Sequence, residues 1–214
     1  MSKNKNYKKF NLYNSIGKEE IGAGLRVLRS GKLSGFIASY PDGFNGGKYN
    51  NLFEKKLSKF YKVRHAIALN SWTSGLIAAV GALDINPGDE IIVSPWTMSA
   101  TATAILHWGA IPVFADIEKK NFCIDPEKVK KLINKKTRAI ITVDIFGYSS
   151  NIKQLKKIIK NKNIKIINDS AQAPYSINKK KIVGTETDIG GYSLNCHKHI
   201  QTGEGGIIVT NNAN

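Results

Sequence analysis

Apolar positions in this chain follow two periods that take turns along its length. Helical spacing marks Lys18–Leu28, and again Tyr49–Phe60, where Leu52, Phe53, Leu57 and Phe60 share one face. Short continuous apolar runs at Ala66–Leu69, Glu90–Val93, Ile111–Ala115, Arg138–Val143 and Ile164–Ile167 predict buried strands. Helical stretches separate them: the alanine-rich segment from Ser71 to Leu83, Ser99–His107, Pro126–Ile133 and Ile152–Lys160. Asp125 can cap the third of these, with Pro126 at its first position. Asn86-Pro87-Gly88-Asp89 is a turn by composition. Two more strand-like segments, Ile189–Leu194 and Gly206–Thr210, flank a polar, glycine-rich run. Strands that are apolar throughout and alternate with helices predict an α/β fold, a mainly parallel sheet covered by helices on both faces. In such sheets ligands bind at the carboxyl ends of the strands.

Composition narrows the class. With 214 residues, 42% of them hydrophobic, the chain can bury a sizeable core. Its formal charge of +16 raises nucleic acid as a partner. The distribution argues against it, because lysine dominates and the arginines are only Arg26, Arg29, Arg64 and Arg138. No nucleic-acid motif accompanies the charge, so no specific nucleic-acid binding is expected. No apolar run is long enough to cross a membrane, and the basic N-terminus lacks the apolar stretch of a secretory signal. Cys123 and Cys196 match no zinc or CxxC spacing, which favours a reducing, cytoplasmic setting. Cys196, His197 and His199 are close neighbours, but adjacent positions of an extended segment face opposite sides, and no metal site is expected.

Residues suited to chemistry gather just past the strand ends. After Ala66–Leu69 comes Asn70-Ser71-Trp72-Thr73-Ser74-Gly75, a helix start able to hold a phosphate or simply to cap the helix. After Glu90–Val93 comes Trp96, suited to stacking on a flat ring or to the core. After Ile164–Ile167 come Asp169 and Gln172, a carboxylate and an amide that can be site residues or caps. Ser193 precedes Lys198 by a few residues, and Lys198 is the one lysine in the run Ser193–Gly206. An amine placed there, partly desolvated or near other cations, is a nucleophile for carbonyl chemistry. Together these features describe a flat heteroaromatic ring with a phosphate, a basic ring nitrogen and an aldehyde, which is pyridoxal 5'-phosphate.

In order along the chain, FEKKLSKFYKVRHAIALNSWTSGL, NPGDEIIVSPWTMSATATAILHWGAIPVFADI, NDSAQA and YSLNCHKHIQTGEGG resemble successive motifs of the DegT/DnrJ/StrS family of pyridoxal-phosphate sugar aminotransferases. The resemblance runs from about Lys18 to Thr210. It implies an aspartate-aminotransferase-type large domain over 46–214, preceded by an N-terminal arm and helix over 1–45 that packs on the domain or on a dimer partner. By the same resemblance Lys198 forms the Schiff base with the cofactor, and Asp169 pairs with the ring nitrogen. Gln172 bonds the ring hydroxyl, and Trp96 lies against the ring. Ser71, Trp72, Thr73 and Ser193 hold the phosphate, Trp72 through its backbone. The implied reaction moves an amino group from glutamate or glutamine to a keto sugar, usually nucleotide-linked, or a keto cyclitol, and the full-length relatives are homodimers.

Three departures qualify the match. Trp72 stands where the family has a small residue, Leu194 where it has phenylalanine, and Asp144 where many members have histidine. Some members carry histidine at the Lys198 position and act as sugar dehydratases, which Lys198 argues against. Relatives also continue into a small C-terminal domain beyond Asn214. The chain is therefore expected to be a large domain without that partner, folded and able to bind cofactor, and either incapable of turnover alone or part of a longer protein. The aromatics Phe36, Tyr40 and Phe44 of the Gly31–Gly47 segment receive no role.

Overall fold

Helix α1 (Lys18–Arg29) opens the portion described by the computed structural model, which covers residues 14–35 and 46–213. Two units divide the chain, 1–47 and 48–214. Within the first, the Glu20 carboxylate accepts from the Gly17 N–H at 2.8 Å, which closes the N-terminus of α1 and holds that carboxyl below its ordinary range. Phe36, Tyr40 and Phe44 lie outside the described residues.

The second unit begins with α2 (Lys48–Tyr61) and β1 (His65–Leu69), then runs through α3 (Trp72–Gly81), β2 (Glu90–Val93), α4 (Ser99–His107) and β3 (Ile111–Phe114). It continues with α5 (Pro126–Leu132), β4 (Thr137–Val143), α6 (Ile152–Ile158) and β5 (Lys165–Asp169). A small hairpin of β6 (Ile177–Asn178) and β7 (Lys181–Ile182) precedes β8 (Ile189–Ser193) and β9 (Gly206–Thr210). The main sheet has seven strands in the order β1-β9-β8-β5-β4-β2-β3. Pairings from β8 to β3 are parallel, whereas β9 runs antiparallel to both β8 and β1.

Both faces of the sheet are buried, which is why the strands read as continuous apolar runs. Ile91, Val93, Ala139, Ile141 and Ile208 pack on one side with Leu76 and Val80 of α3 and Ile105 of α4. Ile92, Ile140 and Ile166 face the other side, against Val129 of α5 and Leu155 of α6. Tyr61 at the end of α2 stacks on Tyr192 of β8, with ring centroids 4.4 Å apart. Its hydroxyl donates to the Pro174 carbonyl and that of Tyr192 donates to Val183, so the two rings fasten the loop that follows β5.

The hydrophobic pattern does not announce the hairpin. Lys179 and Lys180, at its turn, adopt φ of 47° and 71°, values that glycine or asparagine usually supplies. No helix among the described residues is long and apolar enough to cross a membrane.

Candidate functional site

The parallel strands β2, β4 and β5, with β8 beside them, end at one edge of the sheet, and a cavity of about 280 Å³ opens there. Ser71, Trp72 and Thr73 at the start of α3, Thr97, Met98, Ala100 and Thr101 ahead of and within α4, Asp169, Gln172, Ser193 and Lys198 all line it. Of the residues expected to form the site, all but Trp96 meet in this space.

Asp169 is the last residue of β5 and is buried. Its Oδ1 accepts from the Trp72 indole Nε1 at 2.7 Å and from the Ala171 N–H at 3.1 Å. Its Oδ2 accepts from the Thr101 hydroxyl at 2.8 Å. A carboxylate offers about four acceptor positions. Three are filled, and the fourth is on Oδ2. Burial raises the Asp169 carboxyl above the ordinary range; the Thr101, Trp72 and Ala171 donors and the charge of Lys198 oppose that rise. A cation against the open position would complete the compensation of a buried charge.

Behind Asp169 lies a second buried carboxylate. Asp144 follows β4, and its Oδ2 accepts from Asn168 Nδ2 at 2.7 Å and from the Ser170 hydroxyl at 2.6 Å. Its Oδ1 accepts from the Ser150 N–H at 2.8 Å, and its own N–H donates to the Asp169 carbonyl at 2.9 Å. Asp144 thus grips Asp169 and the residues on both sides of it. It lines neither this cavity nor the one beside it, so its charge acts on the frame of the site. Burial pushes its carboxyl up to about 6, against the pull of its Ser150, Ser170 and Asn168 donors.

The start of α3 corrects part of the expected phosphate cradle. Ser71 is the N-cap: its hydroxyl oxygen accepts from the Ser74 N–H at 3.1 Å and its proton goes to the Ser74 hydroxyl at 3.0 Å. In this arrangement that proton serves the helix cap. The first-turn N–H groups of Trp72 and Thr73 have no protein acceptor among the described residues, and the Thr73 and Ser193 hydroxyls are beside them in the cavity lining. Gly206 of β9 admits this close approach, since a Cβ there would fall 2.5 Å from the Ser71 carbonyl and the Trp72 nitrogen.

Trp96 requires a second correction. It sits on the loop after β2, half-exposed, with its ring 5.8 Å from that of Phe122, and it does not line the cavity. Thr97 and Met98 contribute to the cavity lining in its place, and the Thr97 hydroxyl lies 2.8 Å from that of Thr101. Sequence spacing brings the loop to the strand end but does not choose which of its side chains faces in. Thr101 itself was missed. The available signal was its place in the first turn of a helix that follows a parallel strand.

Gln172 lines the cavity and accepts from the Phe146 N–H at 3.0 Å, which leaves its Nε2 protons without a protein partner among the described residues. Phe146 is held at φ 53°, ψ 23°, a strained conformation for a side chain of this size. Lys198 is half-buried, and it forms no ion pair among the described residues. The segment around it is a turn rather than the extended run expected, with the Lys198 N–H bonded to the Asn195 carbonyl at 2.9 Å. Among the described residues no cluster of His, Cys, Asp or Glu is arranged to hold a metal ion. A wider, more open cavity of about 730 Å³, lined by Phe146, Tyr175 and His199, shares Gln172, His197 and Lys198 with the first.

A family model described as the DegT/DnrJ/EryC1/StrS aminotransferase family matches residues 37–214. The spore coat polysaccharide biosynthesis protein SpsC of Bacillus subtilis is 37% identical over 195 residues, covering 91% of this chain and 47% of that protein. GDP-perosamine synthase of Vibrio cholerae is 39% identical over 165 residues, covering 77% of this chain and 45% of the synthase. Among solved structures, Escherichia coli GDP-4-keto-6-deoxy-D-mannose-3-dehydratase with bound hydrated PLP superposes with a TM-score of 0.83 at 27% identity, over 94% of this chain and 50% of the dehydratase. The chain spans about half the length of the curated relatives it matches.

Proposed function

This chain belongs to the DegT/DnrJ/EryC1/StrS aminotransferase family, and on that premise we propose that it forms the pyridoxal-phosphate site of a sugar aminotransferase. The observation that carries the reading is the convergence of Lys198 and of Asp169, with its one open acceptor position, on a single cavity. The donor is glutamate or glutamine. The acceptor is a keto sugar, nucleotide-linked, or a keto cyclitol.

The residues present fit the cofactor. Pyridoxal phosphate, when bound, supplies an aldehyde that condenses with amines and a ring that withdraws electrons. Asp169 Oδ2 would hold a proton-bearing ring nitrogen, and its burial would strengthen that pairing. Trp72 and Thr73 offer main-chain N–H groups, and Thr73 and Ser193 hydroxyls, to a dianionic phosphate at the positive end of α3. Gln172 Nε2 donates to a ring oxygen. Lys198 Nζ would be the covalent anchor for the cofactor's aldehyde and, once released, an amine placed to carry a proton. The 730 Å³ cavity admits the substrate, since Lys198 and Gln172 border both spaces.

Lys198 favours amino transfer over the dehydratase reading, because histidine takes this position in the family's dehydratases. Exposed Leu106, Ile111 and Phe114 support a homodimer in the whole protein. The test is an absorbance titration. Protein loaded with pyridoxal phosphate should lose its visible band on addition of glutamate and regain it with a keto acid. A bound cofactor whose spectrum ignores every amino acid offered would refute amino transfer while leaving the cofactor site intact.

A further inference from the structure

Trp72 replaces a small residue at the start of α3, and its side chain is unlike the others in that turn. It is buried, and its indole lies across β8 in a niche that two glycines create. A Cβ on Gly191 would fall 2.0 Å from the indole, and one on Gly75 would fall 2.5 Å from it. Neither distance is tolerable, so the indole and the two glycines form one packing unit. The unit ends in a single polar atom, Nε1, and that atom donates to Asp169 Oδ1 at 2.7 Å.

We propose that Trp72 is a positioning residue for the cofactor's ring nitrogen, acting through Asp169. With the Ala171 N–H, the indole fills both acceptor positions of Oδ1. Thr101 fills one of Oδ2. The open position is thereby fixed on Oδ2. Without the indole the carboxylate has an open position on each oxygen, and nothing selects between them. A hydrogen bond from a buried indole to an ionised carboxylate is also among the stronger kinds. The inference rests on the pyridoxal-phosphate reading of the cavity and adds to it a residue whose backbone alone was expected to matter.

The test is a double-mutant cycle read by equilibrium binding of pyridoxal phosphate and by the spectrum of the bound form. Trp72→Phe keeps the niche filled and deletes the donor. It should weaken binding by about tenfold or more, as expected for a lost bond to a charged acceptor, and should shift the band of the bound cofactor. In the Asp169→Ala background the same substitution should change affinity by less than about twofold, since contacting residues couple. Equal losses in both backgrounds would mean that the indole acts by packing alone and would overturn the proposal. So would an unchanged affinity in Trp72→Phe. If the wild-type chain binds no pyridoxal phosphate, the cofactor reading fails and this inference falls with it; normal wild-type binding with a silent Trp72→Phe removes only the inference. Should Trp72→Phe not fold, the indole N–H signals of the three tryptophans decide. One of them must lose exchange protection in Asp169→Ala and must shift in the wild type when pyridoxal phosphate is added. Three unchanged signals refute the role.

Discussion

Removing the Asp144 carboxylate should destabilise the fold by about 3–5 kcal/mol, although the residue lines no cavity. Asp144→Ala leaves the Ser150 N–H and the Ser170 hydroxyl without their acceptor, and also one of the two Asn168 Nδ2 protons, the other being held by the Thr142 hydroxyl. Each orphaned buried group costs about 1–3 kcal/mol. Part of that loss is returned because a buried charge is no longer desolvated. For a domain of this size, about 2–4 °C of melting temperature is lost per kcal/mol, so a fall near 10 °C is expected. Asp144→Asn separates charge from shape. The folded-state carboxyl titrates at about 6, above the unfolded value of about 3.9. Folding therefore takes up a proton between those values. The stabilisation is fully present below about pH 4 and is lost as pH rises through 6. Its full size is about 3 kcal/mol at about 1.4 kcal/mol per pH unit, and about 1 kcal/mol of it is present at pH 5. Urea denaturation of wild type and Asp144→Asn at pH 7 and pH 5 measures it. Wild type should gain on the variant by about 1 kcal/mol on acidification. A difference that stays constant with pH, or an Asp144→Ala that loses under about 1 kcal/mol, would refute the account of this network.

Two further outcomes rest on single atoms or a single dihedral. Thr101→Val deletes the donor to Asp169 Oδ2 and should weaken pyridoxal-phosphate binding about tenfold, while Thr101→Ser retains it; equal affinities for the two variants would contradict the role. Lys180→Gly relieves a positive φ of 71° at the β6–β7 turn and should stabilise by about 1 kcal/mol, seen as a rise of about 2–4 °C in melting temperature. A fall would show that the Lys180 side chain contributes more than its backbone strain removes.

The parallel layers were legible because burial on both faces leaves a direct trace. Ile91, Ile92 and Val93 read as an uninterrupted strand since they face opposite cores. The reversal of β9 left no such trace, because Ile207, Ile208 and Val209 are as apolar in an antiparallel strand as in a parallel one. The hairpin was hidden because two lysines occupy turn positions that usually advertise themselves with glycine or asparagine. In the site, Asp169, Gln172, Ser193 and Lys198 were legible from their order along the chain. What could not be read was how each hydrogen-bonding atom is used. The Ser71 hydroxyl caps its own helix, the Trp72 indole reaches a carboxylate 97 residues away, and Met98 rather than Trp96 borders the cavity. These are tertiary choices among neighbouring side chains, and a pattern of residue types is the same for either choice.

Lys198 is the most direct test of the central claim. The chain is incubated with pyridoxal phosphate, reduced with borohydride, digested, and the modified peptide located by mass spectrometry. The account predicts one predominant site, Lys198, at substoichiometric cofactor, and its loss in Lys198→Ala. The chain also holds many solvated lysines, so the comparison is internal. Label spread over those lysines, or equal labelling of the Lys198→Ala variant, would contradict it.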